Sequence, residues 1–219
     1  MTEERVPIVE RILNANDQLA EQNKARLDRA GVLAVNIMAS PGAGKTSLIL
    51  RTIEALSGSF RLGVIEGDTA PVTIDAEKVL AAGVPAIHIN TGGGCHLDAV
   101  MLGDALTRLE AEKFDILIVE NVGNLICPAA FKLGTHSNVL VASITEGDDK
   151  PYKYPKMYRN VDVLVLNKID LLPHVQFDMD YFRRGVEMLN PGLTTFLVSC
   201  RTGEGLERWT EWLAARRKR

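Results

Sequence analysis

The stretch VLAVNIMASPGAGKTSLILRTI, Val32 to Ile53, leaves this chain little choice of fold. It begins as an apolar run interrupted only by Asn36, which reads as a strand buried on both faces, the habit of a parallel sheet. The run breaks at Ala39-Ser40-Pro41-Gly42-Ala43-Gly44-Lys45-Thr46 and resumes at helical spacing. A strand feeding a glycine turn that opens a helix aims backbone N–H groups and the helix's positive end at one point, where a phosphate fits. In the pattern G-x-x-x-x-G-K-[ST], the lysine reaches the terminal phosphates and the hydroxyl holds Mg²⁺. Gly42, Ala43, Gly44, Lys45, Thr46 and Ser47 are therefore the expected phosphate contacts, with Ala39 standing where the pattern has its first glycine. A plain glycine turn would account for Gly42 or Gly44 singly, but not for Gly-Lys-Thr in this register.

Six more strand-like runs follow, RLGVIEG, AIHIN, DILIVEN, NVLVASIT, DVLVLNK and TTFLVSC. Helical patterns lie among them at 45–56, 73–82, 97–112, 178–189 and 205–217. This alternation predicts an α/β fold, a doubly wound, mostly parallel sheet with helices on both faces and ligands at the carboxyl ends of the strands. A helix over 7–29, with Val9, Ile12, Leu13, Leu19 and Leu27 mostly on one face, reads as an appendage packed on one domain spanning 1–219.

Charge is mixed, with a formal net charge of −3, and no basic block of the kind that tracks nucleic acid is present. The final ARRKR suits a solvated helix end. No apolar run is long enough to span a bilayer, and the first residues lack the pattern of a secretory leader. Three cysteines, an odd number, argue against a disulfide framework. The expectation is a cytoplasmic protein without nucleic-acid or membrane partners, whose cysteines are free thiols or metal ligands.

The nucleotide is read further along. Asn167-Lys168-Ile169-Asp170 ends a buried strand as N-K-x-D. The Asp170 carboxylate can accept from the ring N–H and exocyclic amine of guanine together, a donor pair that adenine lacks, and the Lys168 stem can lie over the base. Ser199-Cys200-Arg201 follows the last strand, where GTPases place a loop whose backbone meets the guanine oxygen; Cys200 fits equally as a small strand-end residue. For Mg²⁺ the candidates are Asp68, Asp75 and Glu120, the last in an E-x-x-G ending at Gly123. Asp75 fits equally as a first-turn helix residue favoured by the dipole.

ASPGAGKT, EGDTAPVTIDAEKV, TGGGCHLDAVM, ENVGNLICP, NKIDLLP and SCRTGEGL occur in an order that resembles the HypB family, the hydrogenase nickel-incorporation GTPases. These are P-loop proteins of the signal-recognition/MinD-like class, and the resemblance runs from the first helix to the last. It implies a site for Ni²⁺ or Zn²⁺ made by Cys95, His96 and Cys127. Thiolate and imidazole suit both ions, and three ligands make an open site that fits a transferable metal. It also implies a GTP-dependent homodimer with the site at or near its interface. Loops carrying Asp68 and Glu120 would be ordered by GTP, and hydrolysis to GDP would release nickel toward a hydrogenase-maturation nickel chaperone and the hydrogenase large subunit. The His-rich stretch and the N-terminal Cys-x-x-Cys-type motif of some members do not occur in this sequence.

Three rivals remain. The urease accessory GTPase has a Cys-Pro-His motif, whereas Cys95 and His96 are adjacent here. A nucleoside or metabolite kinase shares the phosphate loop but not N-K-I-D. A nucleotide-gated switch with negligible hydrolysis fits the missing glutamine at the usual catalytic position, which also predicts slow turnover. Cys95, His96 and Cys127 taken singly read as incidental or core residues. His88 reads as a half-buried strand residue, and His136 and His174 as loop residues without a role. Tyr152, Tyr154 and Tyr158 read as core packing in preference to a docking surface.

Overall fold

A computed structural model of the chain describes residues 8–69 and 74–217. Seven strands form one sheet: β1 Leu33–Ala39, β2 Leu62–Asp68, β3 Ala86–Asn90, β4 Ile116–Glu120, β5 Ser137–Ser143, β6 Val163–Asn167 and β7 Thr194–Leu197. Each of the seven apolar runs is one of these strands. Their order is β3-β2-β4-β1-β5-β6-β7, and every pairing is parallel. The chain leaves β1 toward one edge of the sheet and later fills the other, so the crevice at the end of β1 is a topological switch point.

The helices are α1 Ile8–Ala30, α2 Lys45–Leu56, α3 Ile74–Ala81, α4 Ala99–Arg108, α5 Lys150–Lys153, α6 Pro155–Arg159, α7 Met179–Leu189 and α8 Leu206–Arg217. The pattern expected over 97–112 is divided. Asp98 caps α4 by accepting the Met101 N–H, the helix stops at Arg108, and a separate turn, Ala111–Lys113, follows Glu110. Cys95, His96 and Leu97 thus lie outside the helix. The short helices α5 and α6 were not anticipated; Pro151 and Pro155 stand in their first turns, where a missing N–H costs nothing.

Side chains of β1 alternate between the two layers. Leu33, Val35, Ile37 and Ala39 pack with α2, α3 and α8, while Ala34 packs with α1 and α4 and Met38 with α6 and α7. Tyr158 joins that last cluster as expected, whereas Tyr154 is half-buried and Tyr152 lies exposed, stacked on Tyr181 with ring centroids 4.5 Å apart. Among the described residues, no helix is long and apolar enough to cross a membrane.

The docking of α1 departs from the apolar stripe expected of it. Ile12 is 54% exposed, and the buried line is Asn16, Ala20, Asn23 and Leu27. The side chain of Val9 lies outside the described residues. The reason is the surface that α1 meets: the start of α4 and the segment before β5 present backbone groups that only polar side chains can satisfy. Asn16 accepts the Ala99 N–H at 2.9 Å, and Asn23 donates to Ala99 O at 2.8 Å and Leu133 O at 3.1 Å. A Cβ on Gly134, whose φ is +89°, would sit 2.1 Å from Ala20 O, so the backbones approach as closely as glycine permits. His136 has a role after all. Its Nδ1 accepts the Ala34 N–H and its Nε2 donates to Asp28, each at 2.9 Å, which ties α1 to β1 and holds the Asp28 carboxyl below its usual range. The basic end of α8 is not simply solvated either: Arg217 reaches Asp115 at 3.2 Å and Arg216 lies over the Trp212 ring. Lys218 and Arg219 lie outside the described residues.

Replacing Asn23 with Ala strips two buried carbonyls of their donor. It is expected to cost about 1–3 kcal/mol, read as a lowered midpoint in urea unfolding.

Candidate nucleotide and metal sites

Parallel register brings the phosphate loop against the strand carrying Glu120. β1 and β4 pair Ile37 with Glu120, so the carboxylate emerges beside the start of α2. The Thr46 hydroxyl donates to Glu120 Oε1 at 2.9 Å. On the other side β2 pairs Glu66 with Glu120, and Asp68 follows two residues later at the strand end. A cavity of about 300 Å³ at this point is lined by Gly42, Gly44, Lys45, Thr46, Ser47, Glu66, Gly67, Asp68, Lys78, Glu120, Asn121 and Gly123. Hard carboxylate and hydroxyl oxygens dominate the donor set, which suits Mg²⁺. Asp75 lies in the first turn of α3, but its side chain lies outside the described residues.

Glu66 was missed from the sequence, although its charge inside the buried run VIEG was a signal. It is 4% exposed and meets His88 Nδ1 at 3.2 Å. His88 is accordingly a half-buried strand residue, as read, with its buried Nε2 unpartnered among the described residues.

The guanine side is built from the ends of β6 and β7. A cavity of about 330 Å³ there is lined by Gly42, Gly44, Ser47, Asn167, Lys168, Asp170, Leu171, Cys200 and Arg201. Gly42, Gly44 and Ser47 line both cavities, so the two are halves of one groove. Asn167 holds it together: its Nδ2 donates to Ala43 O at 3.0 Å, and its Oδ1 accepts from the N–H groups of Lys168 and Cys200. Lys168, at φ +64°, turns its ammonium back onto Gly42 O at 2.7 Å. The buried Ser199 hydroxyl donates to Asp170 Oδ1 at 2.6 Å and so orients the carboxylate. Burial pushes the Cys200 thiol up to about 11, which marks it as an unreactive loop residue. Ser40, inside the phosphate loop, bonds to Glu146 after β5, whose carboxyl is pushed up by burial.

The third cluster lies beyond Asp68. Gly92 at φ +63° and Gly93 at φ +91° turn the chain after β3, and Thr91 ties the turn to β2 through the Asp68 carbonyl at 2.9 Å. Cys95 and His96 emerge from this turn, and Cys127 comes from the short turn Cys127–Ala129 after β4. One ligand atom from each of Cys95, His96 and Cys127 lies within 4.8 Å of the others. Among the described residues this is the one group of its kind. The His96 ring stacks on Phe131 with centroids 3.9 Å apart. Burial lowers the affinity of His96 for a proton, which keeps the imidazole neutral and its lone pair open to a metal. A hydrogen bond with Cys127 raises the exposed Cys95 thiol above its usual value.

The family described as "CobW/HypB/UreG, nucleotide-binding domain" matches residues 33–196. The "Hydrogenase maturation factor HypB" of Azotobacter vinelandii is 48% identical over 206 residues, covering 94% of this chain and 68% of that protein. The crystal structure of HypB from Helicobacter pylori in complex with nickel superposes with a TM-score of 0.88 at 35% identity, covering 93% of this chain and 95% of that one. The Signal Recognition Particle 54 kDa protein from Aeropyrum pernix, in complex with GDP, superposes with a TM-score of 0.59 at 14% identity over 85% of this chain and 49% of that one, which shows the fold alone.

Two outcomes are expected of this geometry. A Cβ on Gly44, at φ +104°, would lie 2.3 Å from Asn167 Nδ2. Gly44→Ala should therefore displace Asn167 and abolish guanine-nucleotide binding by calorimetry while leaving the sheet folded by circular dichroism. An ion held by thiolate at Cys95 must displace its proton. His96 is already neutral above its lowered pKa, so from pH 6.5 up through the usual thiol range affinity should rise about tenfold per pH unit for each thiol proton displaced. Competition titration checks this, and Cys95→Ser should lower the slope by one displaced proton.

Proposed function

The chain belongs to the HypB branch of the CobW/HypB/UreG nucleotide-binding family, and from that premise we propose that it is a slow, GTP-hydrolysing metallochaperone that carries nickel. The observation that supports this reading best is the convergence of Cys95 and His96, from the turn after β3, with Cys127, from the turn after β4, the strand whose Glu120 lines the phosphate cavity. A guanine-nucleotide switch and a soft-metal cluster then share the same moving parts.

GTP lies along the groove. Asp170, oriented by Ser199, selects guanine; Asn167 and Lys168 hold that end of the phosphate loop; the backbone of Ser199, Cys200 and Arg201 faces the base. Lys45 and the N–H groups of Gly42 to Ser47 take the phosphates. Mg²⁺, held by Thr46 with Asp68 and Glu120, would neutralise charge on the terminal phosphates. Glu66 and Asn121 line the same cavity, and no glutamine does among the described residues, so the attacking water is loosely placed and turnover is slow. GTP draws the loops after β2 and β4 toward the γ-phosphate, and their release after hydrolysis loosens the metal loops.

Nickel is the cargo. Two thiolates and an imidazole leave coordination positions open, as a transferable ion needs. Exposed apolar side chains flank the trio, Ile126 at 65% and Val100 at 54%. They suit coverage by a second copy, so that the GTP-bound chain dimerises about the metal. Delivery is to a nickel chaperone of hydrogenase maturation and through it to the hydrogenase large subunit.

Titration of the purified protein with Ni²⁺ and Zn²⁺, in GDP and then in a non-hydrolysable GTP analogue, with mass by light scattering, tests the reading. Affinity and dimer mass should both depend on the nucleotide, and Cys95→Ser should remove the metal dependence. Binding blind to nucleotide and to Cys95 would sink the metallochaperone and leave a guanine-nucleotide-binding protein.

A further inference from the structure

The metal-directed side chains come from two separate loops, residues 91–98 and residues 121–127, and two amide side chains bond across them, Asn121 to Leu97 at the base and Asn124 to Cys95 beside the thiols. Asn124 Nδ2 donates to the Cys95 carbonyl at 3.2 Å, and Asn124 Oδ1 accepts the N–H of Ile126, the residue before Cys127, at 2.8 Å. A single amide therefore touches the backbone on both sides of the thiol pair. Only an amide can do so, because one contact needs a donor and the other an acceptor.

The residues before Asn124 lead to the phosphates. Asn121 is buried and anchored: its own N–H donates to Ile37 O on β1 at 2.9 Å, its Nδ2 donates to Asn36 at 3.2 Å, and its Oδ1 accepts the Leu97 N–H at 3.1 Å. Gly123 borders the phosphate cavity and lies against the phosphate loop, where a Cβ would come within 3.2 Å of Pro41. The segment thus has a fixed end on the sheet, a middle that faces the phosphates and an outer end that holds the metal loop. A shift of the peptide at Gly123 reaches Asn124 through a single residue step, and Asn124 passes it to Cys95 and Cys127 together.

We propose that Asn124 is a positioning residue that sets the spacing of Cys95 and Cys127 and couples it to the occupancy of the phosphate cavity. This rests on the nucleotide-gated metal site proposed above. Asn124 is half-exposed, and its two hydrogen bonds lie within loops, so its loss should leave the sheet and the guanine pocket intact.

The test uses the full chain as wild type, Asn124→Ala and Asn124→Asp. Asp can still accept from Ile126 but cannot donate to Cys95, so it isolates the bridging bond. Ni²⁺ is titrated in GDP and in a non-hydrolysable GTP analogue, following thiolate-to-nickel charge-transfer absorption, with GDP affinity and thermal midpoint as controls. Both variants should bind GDP like wild type. The ratio of nickel affinities between the two nucleotide states should collapse toward one, and the absorption band should shift. A charge effect of Asp alone would move both affinities equally and leave the ratio standing. A nucleotide-dependent wild type with variants that keep its ratio and spectrum would overturn the role of Asn124 and spare the gated site. A wild type that binds nickel without regard to nucleotide would overturn both. Loss of fold in both variants would make Asn124 a structural residue and also overturn the proposal.

Discussion

Glu120 reaches Thr46 only because β1 and β4 are hydrogen-bonded in the register that sets Ile37 against Glu120. In a parallel sheet that register is held by a ladder of backbone bonds whose flanking side chains, Val35, Ile118, Val119 and their neighbours, are buried on both faces. A slip of one residue would turn Glu120 into an apolar layer and Val119 toward the phosphates. The same ladder continues to β2, where Glu66 opposes Glu120, and the residues after Glu120 carry Asn121, Gly123, Asn124 and Cys127 in turn. The phosphate cavity and the thiol cluster are thus laid out from one strand end.

The guanine half hangs on a different contact. Asn167, buried at the end of β6, bonds to the phosphate-loop backbone at Ala43 and to the N–H of Cys200 after β7. Gly44 has no Cβ because Asn167 occupies that space. The phosphate loop is therefore braced from the base side by Asn167, Lys168 and Glu146, while its other flank meets Glu120 through Thr46 and Gly123 through Pro41.

Polar side chains do much of the work of joining elements here. Asn16 and Asn23 seat α1 on α4, Asn36 and Asn121 link β1 to the segment after β4, and His136 ties α1 to β1. Each of these satisfies buried backbone or amide groups that an apolar residue would leave orphaned, a cost comparable to a lost hydrogen bond. Their contribution is specificity of docking as much as stability, since an Asn that spans two carbonyls fits in one arrangement only.

Seven strands, their alternation with helices, the phosphate loop at Gly42 to Ser47 and the Asn167-Lys168-Ile169-Asp170 motif at a strand end are all legible in the residues alone. Each is a local pattern: apolar runs, glycines where the chain turns, a charged motif at a strand end. The trio Cys95, His96 and Cys127 was legible through the resemblance of the surrounding motifs, and the fold brings its donor atoms within 4.8 Å of one another. What tertiary structure alone decided was everything that depends on pairing across the chain. Only strand register sets Glu66 opposite Glu120; Ile12 falls on the apolar face of α1, but the surface that helix meets, the start of α4, presents backbone groups that Asn16 and Asn23 satisfy instead. Asn124 carried no sequence signal, because its bond to Cys95 joins the loops after β3 and β4, whose proximity is created by the order β3-β2-β4 and by nothing in the spacing of their residues.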